Sequence, residues 1–125
     1  MAHEIEFKDE GKYLRVILRG HRSREQEGAT LIETWSTVAA YCIEHGHTHI
    51  LGVVLIEEPL QPMAAYEVGH APHTFGWKHA FRLALVYPDR VVFESNRLTE
   101  TILTNRGYQI KVFTEEEGAL HWLLK

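Results

Sequence analysis

The spacing of the apolar residues changes along the chain, and each spacing predicts a different element. Residues 4–8 alternate polar and apolar side chains, and Leu14, Val16 and Leu18 alternate again within residues 13–18. Such alternation is typical of strands that bury one face. Because a short glycine-containing segment separates the two stretches, the pattern predicts an antiparallel hairpin.

Further along, the apolar residues recur every three or four positions, as they do on one side of an amphipathic helix. This stripe extends from Ala29 to Ile43. Ser23 and Gln26 have the spacing of a capping box, and Gly46 suits the left-handed conformation that often ends a helix. The pattern predicts a long first helix whose apolar side covers a sheet.

The rest of the chain alternates strands with helices. Apolar runs predict strands at 50–56 and 81–87, a short final strand is predicted at 108–113, and helices are predicted at 62–69, 89–107 and 114–124. Continuous apolar runs are typical of parallel strands covered on both faces. The pattern therefore predicts an α/β fold: a mixed, mostly parallel sheet of about five strands, with the N-terminal antiparallel hairpin and about four flanking helices. We expect residues 1–125 to form a single domain.

Composition narrows the class of protein. Of the 125 residues, 45% are hydrophobic and 24% are charged, as in an ordinary globular domain. The net charge of −4 argues against nucleic acid, whose phosphates are neutralised by Lys and Arg. The single cysteine, Cys42, lies in the apolar stripe and cannot form an internal disulfide. With no signal-peptide pattern and no apolar run long enough for a transmembrane segment, we expect a cytoplasmic protein.

Three segments carry a resemblance to a known family. They are "GKYLRVILRG", "HILGVVLIE" and the C-terminal stretch "RLALVYPDR…NRGYQIKVFTEEEGALHWLL". In their order and patterning the chain resembles the STAS domains, and specifically the SpoIIAA-like group of small bacterial proteins. The resemblance implies a regulatory module that acts through protein partners and forms homo-oligomers, without enzymatic activity.

The chain departs from that family at one functional position. In its regulatory members, a serine at the start of the helix after the central strand is phosphorylated by a partner kinase. The matching stretch here, residues 57–62, has no Ser or Thr and carries two glutamates. The related SEC14-type lipid-binding domains share a similar sheet, so the resemblance also leaves open a small hydrophobic or lipid-like ligand.

Two groups of residues are candidates for a ligand or partner surface. Ligands of open α/β sheets collect beyond the carboxyl ends of the strands, where Glu57, Glu58, Asp89 and Arg90 follow. Ordinary loop and capping roles would also account for these four. The second group lies on the second helix and the loop after it: Met63, Tyr66, His70, His73, Phe75 and Trp77. An apolar cavity beside Met63, Tyr66 and Trp77 would favour a ligand carrier, and a flat exposed apolar patch would favour a protein partner.

Nine histidines raise the question of a metal site. His70, His73 and His79 lie close in sequence, and Glu67 precedes them. Their spacing matches no recognised zinc motif, and no second cysteine supports one. No nucleotide-binding glycine loop and no nucleophile elbow are present either. We therefore expect no cofactor.

These observations rank three hypotheses. The first is a non-enzymatic binding or regulatory module that acts through protein–protein contacts. The alternative is a carrier of a small hydrophobic or lipid-like ligand. The weaker alternative is a metal-binding protein or an enzyme that uses the histidine-rich loop.

Overall fold

The computed structural model describes residues 3–21, 27–70 and 72–125, and for His73 it describes the backbone alone. The predicted capping box of Ser23 and Gln26 lies outside the described residues. Within these ranges, no helix combines the length and the apolar character that crossing a membrane requires.

In the described residues, five strands form one mixed sheet, and their order in space follows their order in sequence. They are β1 (Glu4–Asp9), β2 (Leu14–Arg19), β3 (His49–Val54), β4 (Arg82–Val86) and β5 (Gln109–Phe113). β1 and β2 pair antiparallel, and each later strand is parallel to the one before it. The predicted fold class is confirmed.

The helices cover the two faces of the sheet unequally. They are α1 (Glu27–His45), α2 (Pro62–His70), α3 (Arg90–Ser95), α4 (Arg97–Asn105) and α5 (Glu116–Leu123), and a 3₁₀ turn at Pro72–Phe75 follows α2. Connections between parallel strands are right-handed as a rule, and here each new strand is added on the same side of the last. α1, α2 and α4 consequently share one face, and α5 covers the other.

Each face of the sheet buries its own apolar cluster. On the larger side, Leu14, Val16 and Leu18 of β2 are at most 1% exposed. On the smaller side, α5 packs against alternate residues of the two central strands, namely Leu51, Val53, Ala84 and Val86. Burial on both faces explains why the sequences of β3 and β4 are continuously apolar.

The helix predicted at 89–107 is divided in two at Asn96. Asp89 caps the first part, one of the ordinary roles considered for it above, because its Oδ1 accepts hydrogen bonds from the N–H groups of Val91 and Val92 at 2.9 and 3.2 Å. Asn96 is buried, and its Nδ2 donates to the carbonyl oxygen of Val92 at 2.8 Å. Asn side chains compete with the backbone for such carbonyls, which accounts for the break between α3 and α4.

Two glycines allow α2 to pack closely between its neighbours. The carboxylate of Glu67 on α2 occupies the space where a side chain on Gly28 of α1 would begin. On the other side, a Cβ atom on Gly69 would lie 2.5 Å from Cγ2 and 3.2 Å from Cβ of Ile102 in α4. The separation of α2 from α4 therefore depends on the missing side chain of Gly69.

The close packing of α2 on α4 predicts opposite effects for the same substitution at two helical glycines. Gly118→Ala in α5 should stabilise the protein by roughly 0.5–1 kcal/mol, because alanine favours the helix. The new Cβ atom would lie 3.7 Å from its nearest neighbour, Cδ2 of Phe113, so it has room. Gly69→Ala should destabilise it by about 1–3 kcal/mol, since the new methyl group meets the branched side chain of Ile102. Urea denaturation measures both, and equal effects would contradict the packing described.

Candidate functional site

An apolar cavity of about 60 Å³ lies between the sheet and the helices on its larger side. Strands β2 to β5 form its floor, and α1, α2, α4 and the segment after α2 contribute its walls. The strand residues that line it are Leu18, Val54, Leu83, Leu85 and Ile110. Because elements from most of the chain surround it, the cavity is a product of the whole fold.

Aromatic rings form one side of this cavity. The ring centroids of Trp35 and Trp77 are 5.7 Å apart, with the ring planes at 85°. Trp77 in turn packs on Phe81 at 5.0 Å and 79°. These edge-to-face contacts are favourable arrangements for aromatic pairs, and they connect α1 to the loop before β4.

Gly52 of β3 makes room for this aromatic packing. A Cβ atom at this position would lie 2.8 Å from Cδ2 of Leu85 and 3.4 Å from Cη2 of Trp35. A glycine inside an otherwise apolar strand often marks such a close approach, and this is the sequence signal that could have identified the site.

Besides the phenol of Tyr87 and the indoles of Trp35 and Trp77, two polar side chains interrupt the apolar lining, and both come from the α3–α4 region. The amide of Asn96 is bonded to Val92, as described above. The hydroxyl oxygen of Thr99 is buried and has no hydrogen-bond partner among the described residues. Neither residue was among the predicted site residues, although both lie at helical spacing from the buried Val92 and Leu103. Polar residues within a buried stripe are the signal that could have found them.

The candidate residues on the second helix and those on the loop after it lie in different places in the structure. Phe75 and Trp77 line the cavity, together with Val68 of α2. Met63 and Tyr66 point away from the core and are 68% and 57% exposed. The chain therefore has both an apolar cavity beside Trp77 and an exposed apolar pair on the outer side of α2.

The charged residues that follow the strand ends have separate contacts. Oε2 of Glu58 lies 3.0 Å from Nδ1 of His21, and this hydrogen bond raises the pKa of the exposed imidazole. Asp89 caps α3, and Arg90 forms an ion pair with Glu94 one turn along the same helix. These contacts fit the loop and capping roles considered for the group.

The histidines of the loop also have local contacts where the structure describes them. His70 borders a shallow surface groove, and the ring of His79 stacks on Tyr108 with centroids 3.9 Å apart. The side chain of His73 lies outside the described residues. Among the residues that are described, no group of three or more His, Cys, Asp or Glu is arranged to hold a metal ion.

Comparison with known proteins supports the fold. No protein-family model matches the sequence, and no curated protein matches it. A solved structure from Shewanella loihica PV-4, an uncharacterised protein of the DUF3478 family with a SpoIIAA-like fold, covers 98% of this chain and 94% of its own length. Its TM-score is 0.52 at 17% identity, a likeness that establishes the fold alone. The chain has a SpoIIAA-like fold.

In this SpoIIAA-like fold, the segment between β3 and α2 is held by side chains from two other helices. The N–H of Leu60 donates to Oγ of Ser95 at 2.9 Å, and the N–H of Gln61 donates to Oε1 of Glu27 at 3.3 Å. The resemblance places a phosphorylated serine in this segment. Here a carboxylate already accepts a hydrogen bond from its backbone, and residues 57–62 contain no phosphoacceptor.

Cys42 lies inside the larger core of the SpoIIAA-like fold, as the sequence analysis expected. Its side chain is fully buried, and burial raises the pKa of the thiol to about 11. Because the thiolate is the reactive form of cysteine, this side chain acts as a small apolar group in the core.

Burial of Cys42 predicts that the folded protein resists thiol reagents. At pH 8, modification by a disulfide reagent such as dithionitrobenzoate should be slower by at least about a hundredfold in the native protein than in urea, because burial and the raised pKa both suppress the thiolate. Absorbance at 412 nm follows the released thiolate, with glutathione as the reference for an exposed thiol. Comparable rates in native and unfolded protein would contradict the burial.

Proposed function

We propose that this chain is a non-enzymatic binding module that takes a small, mostly apolar molecule into the cavity between its sheet and its helices. The cavity itself is the observation that carries the proposal. Protein interiors normally contain few voids larger than a water molecule. An empty cavity of about 60 Å³ costs on the order of 1 kcal/mol of stability, which a bound molecule would offset.

The lining supports binding over catalysis. No carboxylate, imidazole, amine, guanidinium or thiol group lines the cavity in the described part of the chain. General acid–base and nucleophilic catalysis both require such groups close to the reacting atoms. A wall of aliphatic and aromatic side chains instead suits an apolar ligand, which it removes from water.

The volume limits what the cavity accepts in this conformation. A cavity of about 150 Å³ lined by aliphatic and aromatic residues can bind benzene. On that scale, 60 Å³ has room for roughly two or three carbon atoms. The ligand is therefore a small molecule, or a larger one that inserts only its end.

We expect the ligand to be bound in the reducing cytoplasm, where Cys42 needs no disulfide partner.

A second candidate function is self-association through the outer side of α2. Met63 and Tyr66 supply exposed apolar area, and the groove beside Tyr66 is bordered by both Glu67 and Arg106. In a dimer with two-fold symmetry each patch meets its own copy, so Glu67 of one chain can face Arg106 of the other. The resemblance implies a function through protein–protein contacts, and we propose that this homodimer is such a contact.

The cavity proposal predicts that filling the cavity abolishes ligand retention. Val68 is 7% exposed and lines the cavity, so the ring of Val68→Phe should occupy the space. Val91 is 64% exposed on α3, and Val91→Phe adds the same ring at the surface as a control. Native mass spectrometry of protein produced in its own host should show a bound small molecule with the wild type and Val91→Phe, and none with Val68→Phe.

Urea denaturation of the same three proteins checks that the variants fold. Val68→Phe should still fold but lose about 1–3 kcal/mol of stability, because its four added carbon atoms exceed the two or three for which the cavity has room. A wild-type chain without any bound molecule would contradict the proposal. A folded Val68→Phe protein that keeps the molecule would contradict it as well.

The dimer proposal predicts that polar substitutions on α2 produce monomers. Met63→Ser combined with Tyr66→Ser should remove the apolar area at the centre of the interface, whereas Ile43→Ser changes an apolar side chain that is 53% exposed on α1. Sedimentation equilibrium should find dimers for the wild type and Ile43→Ser, and monomers for the double variant. A monomeric wild type at every concentration tested would refute the proposal.

A further inference from the structure

The hydroxyl group of Thr99 differs from those of three other helical threonines in the described part of the chain. Oγ1 of Thr34, Thr37 and Thr101 each donates to the backbone carbonyl four residues earlier, at 2.9, 3.0 and 3.1 Å. The hydroxyl of Thr99, buried in the cavity wall, has no partner among the residues that the structure describes. Bonding to the preceding turn is the usual way for a helical threonine to satisfy its hydroxyl, so this group remains available to a ligand.

The polar side chains one turn before Thr99, those of Ser95 and Asn96, are already engaged. Oγ of Ser95 donates to the carbonyl of Val92 at 2.7 Å and accepts from the N–H of Leu60. The amide of Asn96 donates to the same carbonyl of Val92. A buried hydroxyl without a partner is unfavourable, and a ligand oxygen is one group that could remove that penalty.

The absence of charge in the described cavity lining limits the class of molecule that can supply this oxygen. The described lining contains no cationic side chain that could pair with a carboxylate or phosphate. Transferring an ion from water into such a site is far more unfavourable than transferring a neutral polar group that gains a hydrogen bond. An uncharged hydroxyl or carbonyl group satisfies Thr99 without that penalty.

We propose that the cavity selects an uncharged molecule with one hydroxyl or carbonyl oxygen, which pairs with the hydroxyl of Thr99, over the carboxylate with the same skeleton. This inference rests on the proposed function, because it names the class of ligand for the same cavity. It distinguishes a small alcohol, ketone or aldehyde from the anion of a short carboxylic acid.

Acetone and acetate provide a matched pair of probes. They share the same planar arrangement of four heavy atoms, so each inserts by its oxygen-bearing end, and they differ in charge. Xenon serves as a small apolar probe without hydrogen-bonding groups. Titrations are followed at pH 7 through the NMR signals of the methyl groups of Val54, Leu83 and Leu85, which line the cavity. Acetone should bind at least about tenfold more tightly than acetate, because only acetate enters as an unpaired ion.

Two variants test the role of the hydroxyl group. Thr99→Val has nearly the same shape without the hydroxyl, and Thr99→Ser keeps the hydroxyl. Thr99→Val should weaken acetone binding by about fivefold or more while xenon binding is kept, and Thr99→Ser should retain most of the preference for acetone. Without any ligand, Thr99→Val should also raise the urea midpoint of unfolding, since it removes a buried hydroxyl that has no partner.

The outcomes separate this inference from the proposed function. If neither xenon nor acetone shifts the cavity methyl signals, both the inference and the proposed function are overturned. If xenon binds but acetone and acetate bind equally, or if Thr99→Val leaves acetone binding unchanged, only the inference is overturned. A lower urea midpoint for Thr99→Val would show that the hydroxyl is already paired in the protein, and would also overturn the inference.

Discussion

The packing of Trp35 against β3 at Gly52 determines how closely the longest helix approaches the sheet. A side chain at position 52 would collide with Leu85 and crowd Trp35, so the missing side chain allows the indole to lie against the strand. Trp77 then packs edge-to-face on Trp35 and brings the loop before β4 to the same place. The cavity exists because these rigid rings and the branched side chains opposite them leave a space that neither can fill.

The cavity and the outer side of α2 are two different kinds of surface on one small fold. The cavity lies between the sheet and the helices and is mostly apolar, and its lining offers one hydroxyl group without a partner among the described residues. The outer side of α2 carries exposed apolar side chains beside charges of both signs. The SpoIIAA-like fold does not by itself specify which of the two surfaces is functional, because one fold can support several functions. The function has to be inferred from the chemistry of each site.

Much of the fold could be predicted because the relevant signals are local. Alternation in β1 and β2, continuous apolar runs in β3 and β4, and the stripe of α1 each depend on which faces of one element are buried. The helix at 89–107 was predicted as continuous and is broken at Asn96, because the amide of that buried side chain bonds back to the carbonyl of Val92. The candidate site was predicted only in part: Phe75 and Trp77 line the cavity, whereas Met63 and Tyr66 lie outside it.

The order of the elements, the mostly parallel sheet and the burial of Cys42 follow from the residue pattern alone, since periodicity and turn chemistry act over a few neighbouring residues. That Trp35, Leu85 and Thr99 line one cavity follows from the tertiary structure alone. These residues come from a helix, a strand and another helix far apart in the chain, and no local pattern specifies the distance between them. That distance results from packing all the elements together, which also leaves the hydroxyl of Thr99 buried without a partner.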